Sequence, residues 1–394
     1  MLVTLYLKVH QPFRVKHYPF FSIGKDHRYF NGENGKLNNR ALFEKVAKKS
    51  YLPTNKILLN LLHSFKLFKL NVSLSGVFLD QAELFYPEVL DSFKALVQTG
   101  KVELLGETYY HSLSFLGFPQ EFAYQVKLQE ERLREIFRVK PHIFSNTEAA
   151  YNNDVAKMIS TLGYKGILTE GADKVLEWRS PNFLYQASSA PNVRLFLKNY
   201  RLSDDISFRF SEKSWNEYPL SADKFALWID ESEATGEVIN LCMDYETFGE
   251  HQWEETGIFN FLKAMPEYVL KNGINRFATL SEVGARLKPR ATLDVPEVIT
   301  WADTERDLSA WLDNEMQKAA FTKVYSFSES IAKSKKSSLG EDWRRLQTSD
   351  HFYYMCTKWF ADGDVHKYFN PYESPYEAFI NYMNVLKDLE LRLA

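Results

Sequence analysis

The sequence predicts an α/β fold: a closed barrel of parallel strands with helices outside, followed by a helical C-terminal part. Short apolar runs alternate with helical stretches up to about residue 285, the pattern of a parallel sheet. No strand-like run leads into a G-x-G-x-x-G turn, which favours a barrel over a doubly wound sheet. Beyond about residue 285 strand-like runs cease and helical ones continue.

Taken in order, LVTLYLKV (2–9) alternates as a strand does, and YLPTNKILLNLLHSF carries Leu and Ile at helical spacing. VSLSGVF (72–78) reads as a second strand, and AELFYPEVLDSFKALVQTG as one helix ended by Gly100. VELLGE (102–107) is a third strand, followed by the helix of FPQEFAYQVKLQEERLREIFRV, whose charges fit a solvated face. HIFSN (142–146) and KGILTE (165–170) read as strands flanking the helix NDVAKMISTLGY. RLFLKNY (194–200), helical SADKFALWIDESEA, EVINLCM (237–243) and RFATLSEV (276–283) complete the series. KPRATLDVPEVITWADTE is a proline-bearing connector. Three helices are expected after it, in SAWLDNEMQKAAFTKVYSFSESIAKS, EDWRRLQTSDHFYYMCTKWF and SPYEAFINYMNVLKDLELRLA. The expected division is a barrel over residues 1–285 and a helical domain over 286–394 packed on it.

Composition removes several function classes. A formal net charge of −3 with no basic block does not point to nucleic acid or an anionic membrane surface as a partner. The apolar N-terminus lacks a basic leader and a cleavage site, and no run approaches a membrane span of about 20 apolar residues, so a cytoplasmic protein is expected. Two cysteines, Cys242 and Cys356, allow neither a disulfide framework nor a cysteine zinc site. Aromatic residues reach 15%, and Trp and Tyr are the side chains that stack on sugar rings while offering a hydrogen bond.

Polar residues at the strand ends carry the functional signal. His10 ends the first strand, Glu103 and Glu107 lie in and at the end of the third, Glu148 comes just after the fourth, and Asp244 stands directly after EVINLCM. In α/β barrels such positions converge on one rim, where active sites form. A strand-end carboxylate alone is more often a helix cap, but several such ends reduce coincidence. Two facing carboxylates without H-E-x-x-H or an EF-hand loop suit glycoside hydrolysis, with no metal and no cofactor.

The stretches HQPFR (10–14), SNTEAAYN (145–152), MDYETFGEHQW (243–253) and WADTERDLSAWLDNEMQ (301–317) together resemble the signature blocks of glycoside hydrolase family 57, nearest its intracellular α-amylase branch. The resemblance implies a (β/α)7 barrel, a distorted relative of the TIM barrel, and a retaining mechanism on α-1,4-glucans. It also implies Glu148 as nucleophile, Asp244 as general acid/base, and His10 as a contact to the sugar at the cleavage subsite. Glu103 falls where the family's second block carries a sugar-binding glutamate, although Gly-Lys-Val-Glu replaces the usual Gly-Gln-x-Glu and Glu107 competes for the role. Retention requires carboxyls about 5–5.5 Å apart.

Other candidates carry a plain structural reading beside the functional one. Glu246 suits a supporting or capping role. His251 and Trp253 share its loop, where the indole is either a sugar platform or packing. Asp204 and Asp205 suit a helix cap or a hydroxyl contact, and Glu170 and Asp173 come after another strand. Trp301, Asp303 and Trp311 are expected to reach from the helical part into the glucan groove. Rival readings are a 4-α-glucanotransferase with the same acids, a glucan-binding protein without turnover, and a metal-dependent deacetylase. The last lacks its His-x-x-x-His pair.

Overall fold

The computed structural model describes residues 1–33, 35–334, 336–358 and 369–394. Strand β1 (Leu2–Val9) shows how the sequence builds the interior. With a side-chain period of two, Val3, Leu5, Leu7 and Val9 point one way and join a core with the flanking helices. Leu2 and Tyr6 point the other way, into a smaller apolar cluster with Leu168, Phe196 and Cys242. Lys8 and His10 continue that inner face beyond the apolar cluster, into a cleft.

A ten-stranded, mostly parallel sheet surrounds this interior. β1 pairs in parallel with β2 (Leu70–Leu74), and β2 with β3 (Val102–Leu104). A parallel bridge from Gly106 to Phe144 carries the pairing to β4 (Ile143–Ser145). β4 pairs with β5 (Gly166–Glu170); β6 (Tyr185–Ala187) lies outside this path, and β5 pairs with β7 (Arg194–Lys198). β7 meets β8 (Val238–Asp244) at Lys198 and Asn240, and β8 returns to β1. Gly106 is required at its crossing because an added Cβ would lie 2.1 Å from the Tyr164 hydroxyl. Buried polar groups on the inner face pair with one another: Thr4 Oγ1 donates to Asn240, and Tyr6 Oη bonds Ser73 and Ser145 at 2.7 and 2.8 Å. Each therefore avoids the cost of a buried unpaired polar group.

Several elements differ from the sequence expectation, each for a local reason. RFATLSEV is only briefly a strand: β9 (Arg276–Phe277) pairs with β1, then Thr279 and Glu282 form a capping box that starts the helix Leu280–Arg286. AELFYPEVLDSFKALVQTG is broken into Gly76–Phe85 and Pro87–Gln98, because Pro87 has no N–H to continue a helix and keeps Tyr86 out of helical geometry. β6 runs antiparallel to β7, and β10 (Thr292–Leu293), inside the expected connector, pairs with β6. Both are too short to show a periodicity.

In the C-terminal part, three shorter helices (Ser309–Leu312, Glu315–Tyr325 and Ser328–Lys333) replace the first expected one. Ser337–Arg345 and Ser349–Tyr353 replace the second, whose last two residues, 359 and 360, lie outside the described residues. Pro375–Leu393 is continuous, as expected. Buried Trp311, Trp343, Tyr325 and Tyr382 share one core with Phe144, Tyr151 and Tyr185, which fixes these helices against the sheet. Among the described residues no helix is long and apolar enough to cross a membrane.

Candidate active site

A cleft of about 970 Å³ opens where β1, β5, β7 and β8 end, and His10, Glu148, Glu170, Lys198 and Asp244 all line it. Strand ends thus gather chemistry that the chain keeps far apart.

Glu148 sits in the turn Thr147–Ala149 just beyond β4, with φ of 56° at Glu148 and 51° at Ala149. Left-handed backbone at two successive non-glycine residues costs about 1–3 kcal/mol each, and such strain persists where surroundings impose it. Here Asn146 Nδ2 donates to the Ala150 carbonyl at 3.0 Å and Thr169 Oγ1 to the Ala149 carbonyl at 2.9 Å. The next residue, Tyr151, exchanges backbone hydrogen bonds with Ile299 at 2.9 Å. That pairing brings the Ile299–Trp301 loop across the turn. Trp301 Nε1 then donates to Glu148 Oε2 at 2.8 Å, and Ser349 Oγ donates to Oε1 at 2.6 Å. His111 Nε2 lies 3.4 Å from Oε1. Burial pushes the Glu148 carboxyl up, but His111 and Ser349 outweigh it and hold the group below its ordinary value. It is a carboxylate prepared to carry charge.

Asp244 is the last residue of β8, exposed to the cleft. Glu246, two residues on, also lines the cleft but is buried, and accepts from Tyr51 Oη at 2.5 Å. Burial first, and the Asp244 charge second, push its carboxyl up to about 8, so it holds a proton at neutral pH.

A third group joins from elements remote in sequence. His10 Nδ1 lies 2.8 Å from Ser75 Oγ, and its Nε2 lies 2.9 Å from Asp350 Oδ2. The His10 and His111 rings are tilted against each other with centroids 4.0 Å apart. His111 itself has φ of 51°, and its carbonyl accepts from the Ser349 N–H, which ties this turn to the helix bearing Asp350. Beneath it, Lys8 Nζ lies 3.3 Å from the fully buried Glu107. Burial opposes the Glu107 charge, but Lys8 and His111 offset it and hold the carboxyl at about 2.

The sequence profile of Glycosyl hydrolase family 57 matches residues 4–296. This chain belongs to that family. It is 44% identical, over 99% of its length and 84% of the relative's, to a Methanocaldococcus jannaschii protein named "Putative alpha-amylase". Among solved structures it resembles a family 57 branching enzyme from Thermococcus kodakaraensis (14% identity, TM-score 0.67, 90% of this chain and 85% of that one). An α-amylase from Thermotoga maritima is similar at 15% identity and TM-score 0.60, over 100% and 94% of the two chains. At such identities these structures speak for the shared fold alone. The chain is thus a glycoside hydrolase family enzyme.

Within this family 57 chain the candidates separate. His10, Glu148, Asp244, His251 and Trp301 line the cleft, while Glu103, Trp253 and Asp303 do not. Glu103 lies inside β3, away from the rim, and its Oε2 accepts from the Ser281 N–H at 2.9 Å. It anchors a helix start rather than facing the cleft. Trp253 is 58% exposed with Lys49 Nζ 5.5 Å from its ring centre. Asp303 turns to Lys358, 3.3 Å away, and Trp311 is fully buried against Trp301. The Asp204 and Asp205 cap is corrected too: Asn199 caps Tyr200–Ser207, while Asp204 pairs with Lys198 and Asp205 with Arg209. Asp173 opens the short helix Asp173–Leu176 and accepts from Tyr200 Oη. Glu170 is buried against Lys198 and Arg306.

His111, Ser349 and Asp350 were not singled out in the sequence. Ser349 and Asp350 sit in QTSDHFYY, and the signal available was two polar residues opening an aromatic-rich helix. His111 is separated from its strand end by several residues of loop, which hid it.

Proposed function

We propose that this enzyme cleaves α-1,4-glucosidic bonds in starch- or glycogen-type glucans with retention, Glu148 acting as nucleophile and Asp244 as general acid/base. The observation that carries this reading is that the two acids, from the ends of β4 and β8, line one cleft. Glu148 receives hydrogen bonds on both oxygens, which supports an ionised carboxylate aimed at the anomeric carbon. In the first step its oxygen bonds the anomeric carbon while Asp244 delivers a proton to the departing glycosidic oxygen. In the second, Asp244 takes a proton from water, whose oxygen displaces Glu148. The reaction uses two carboxyls and water. Trp301, His10 and His251 line the same cleft as Glu148, which supports their contact with a bound sugar.

Product analysis on maltooligosaccharides tests the reading. Shorter chains alone support hydrolysis, whereas longer chains beside shorter ones place the enzyme with the glucanotransferases. NMR of the first product anomer is expected to show the α form; a β product overturns the covalent intermediate.

A further inference from the structure

We propose that His10, His111 and Asp350 form a binding site for one late first-row divalent cation such as Zn²⁺, seated beside Glu148 so that ion and sugar exclude each other. One donor atom from each of the three side chains can be chosen so that all lie within 4.8 Å of one another. Tetrahedral zinc with bonds of about 2.0–2.2 Å needs donors roughly 3.3–3.6 Å apart, so small side-chain movements suffice. His10 Nε2 already stands 2.9 Å from Asp350 Oδ2.

The groups behind the donors are those a metal site uses. Ser75 Oγ at His10 Nδ1 and Glu107 Oε2, 3.4 Å from His111 Nδ1, each face the nitrogen turned away from the cluster. The hydrogen bond to Ser75 fixes the His10 tautomer that leaves Nε2 free for a metal, while Glu107 sets a buried carboxylate behind His111 without hydrogen-bond geometry. Ser75 Oγ also accepts from the Phe78 N–H, so its position is set by a helix start and not by the imidazole alone. Once a metal displaces the proton shared with the carboxylates at His111, two imidazoles and one carboxylate suit zinc, nickel or copper better than calcium or magnesium, which prefer oxygen. The Lys8 charge below is engaged by Glu107. His111 Nε2 is also 3.4 Å from Glu148 Oε1, so a bound ion would draw on the same carboxylate. Ion binding is independent of the catalytic reading; the exclusion of sugar rests on it.

Calorimetric titration of the chelator-treated full chain with Zn²⁺ alone is expected to show one ion per chain, and Co²⁺ to give the visible bands of a tetrahedral nitrogen–oxygen site. His10→Ala and Asp350→Asn should each abolish that event, and Ser75→Ala should weaken it about tenfold. His27→Ala, at a half-exposed histidine paired with the buried Asp388, should leave it unchanged. Far-UV circular dichroism identifies any variant that fails to fold, in which case the other ligand variant decides. No binding, or binding that survives the ligand variants, overturns the site. Excess maltotriose should raise the apparent ion dissociation constant. Intact ion binding without that competition overturns the exclusion and leaves the site standing.

Discussion

Trp301 Nε1 donates to Glu148 Oε2 at 2.8 Å, joining the loop before the C-terminal helices to the turn after β4. Tyr151 and Ile299 hold the two segments in register, and Arg306 Nη1 donates to the Trp301 carbonyl at 2.8 Å from the other side. Arg306 also reaches buried Glu170 at 3.3 Å. The indole is therefore placed by backbone on one flank and by a charge pair on the other.

Replacing that indole by a ring without a donor isolates the bond. Hydrogen bonds to charged groups are worth about 1.5–3 kcal/mol, so Trp301→Phe should lower kcat roughly 10- to 100-fold. The melting temperature should change little. Steady-state kinetics beside thermal melts check this, and an unchanged kcat would show the bond to be ornamental.

Glu148→Gln and Asp244→Asn should each cut turnover at least about a thousandfold while leaving the circular dichroism spectrum intact. Gln keeps the shape of Glu148 but cannot form the ester to the sugar. Near-normal turnover in either variant removes the assignment.

The strand ends were legible because periodicity is local. Eight residues of β1 suffice to place Tyr6, Lys8 and His10 on one face, and VINLCMD does the same for Asp244. Glu148 was legible for the same reason, as the first acid after a strand. Asp350 was not, because its place depends on how the C-terminal helices pack, through the contact of Ser349 N–H with the His111 carbonyl. Glu103 sits inside β3 rather than at its end, and height along a strand, unlike its face, depends on where pairing begins.

That difference can be measured. Glu103→Gln should weaken the Ser281 anchor and lower the melting temperature by a few degrees, leaving KM unchanged. Trp253→Ala, at an exposed ring, should change neither. A rise in KM without loss of stability in either variant would return that residue to the sugar.

Lys8 and Glu107 form a buried pair at 3.3 Å. Removing one partner strands the other charge, so Glu107→Gln should destabilise the protein by about 3–5 kcal/mol in urea unfolding. The double variant Lys8→Met with Glu107→Leu should recover part of that loss. Equal stability of the single variant and the wild type would mean water reaches Lys8.

Glu246 gives a pH dependence whose sign is fixed by its burial. An ordinary glutamate titrates near 4.5, and burial together with the Asp244 charge raises this one to about 8 in the folded chain. Between those values the native state keeps a proton that the unfolded state has released. Stability must therefore fall as pH rises through that window, by up to about 1.4 kcal/mol per pH unit, and level off above it. Glu246→Gln, neutral at every pH, should remove this component of the slope. Tyr51→Phe deletes a donor that steadies the ionised form, and should extend the decline to higher pH. Urea midpoints from pH 5 to 9 decide the matter: parallel curves for wild type and Glu246→Gln would mean that the Glu246 carboxyl is ionised throughout.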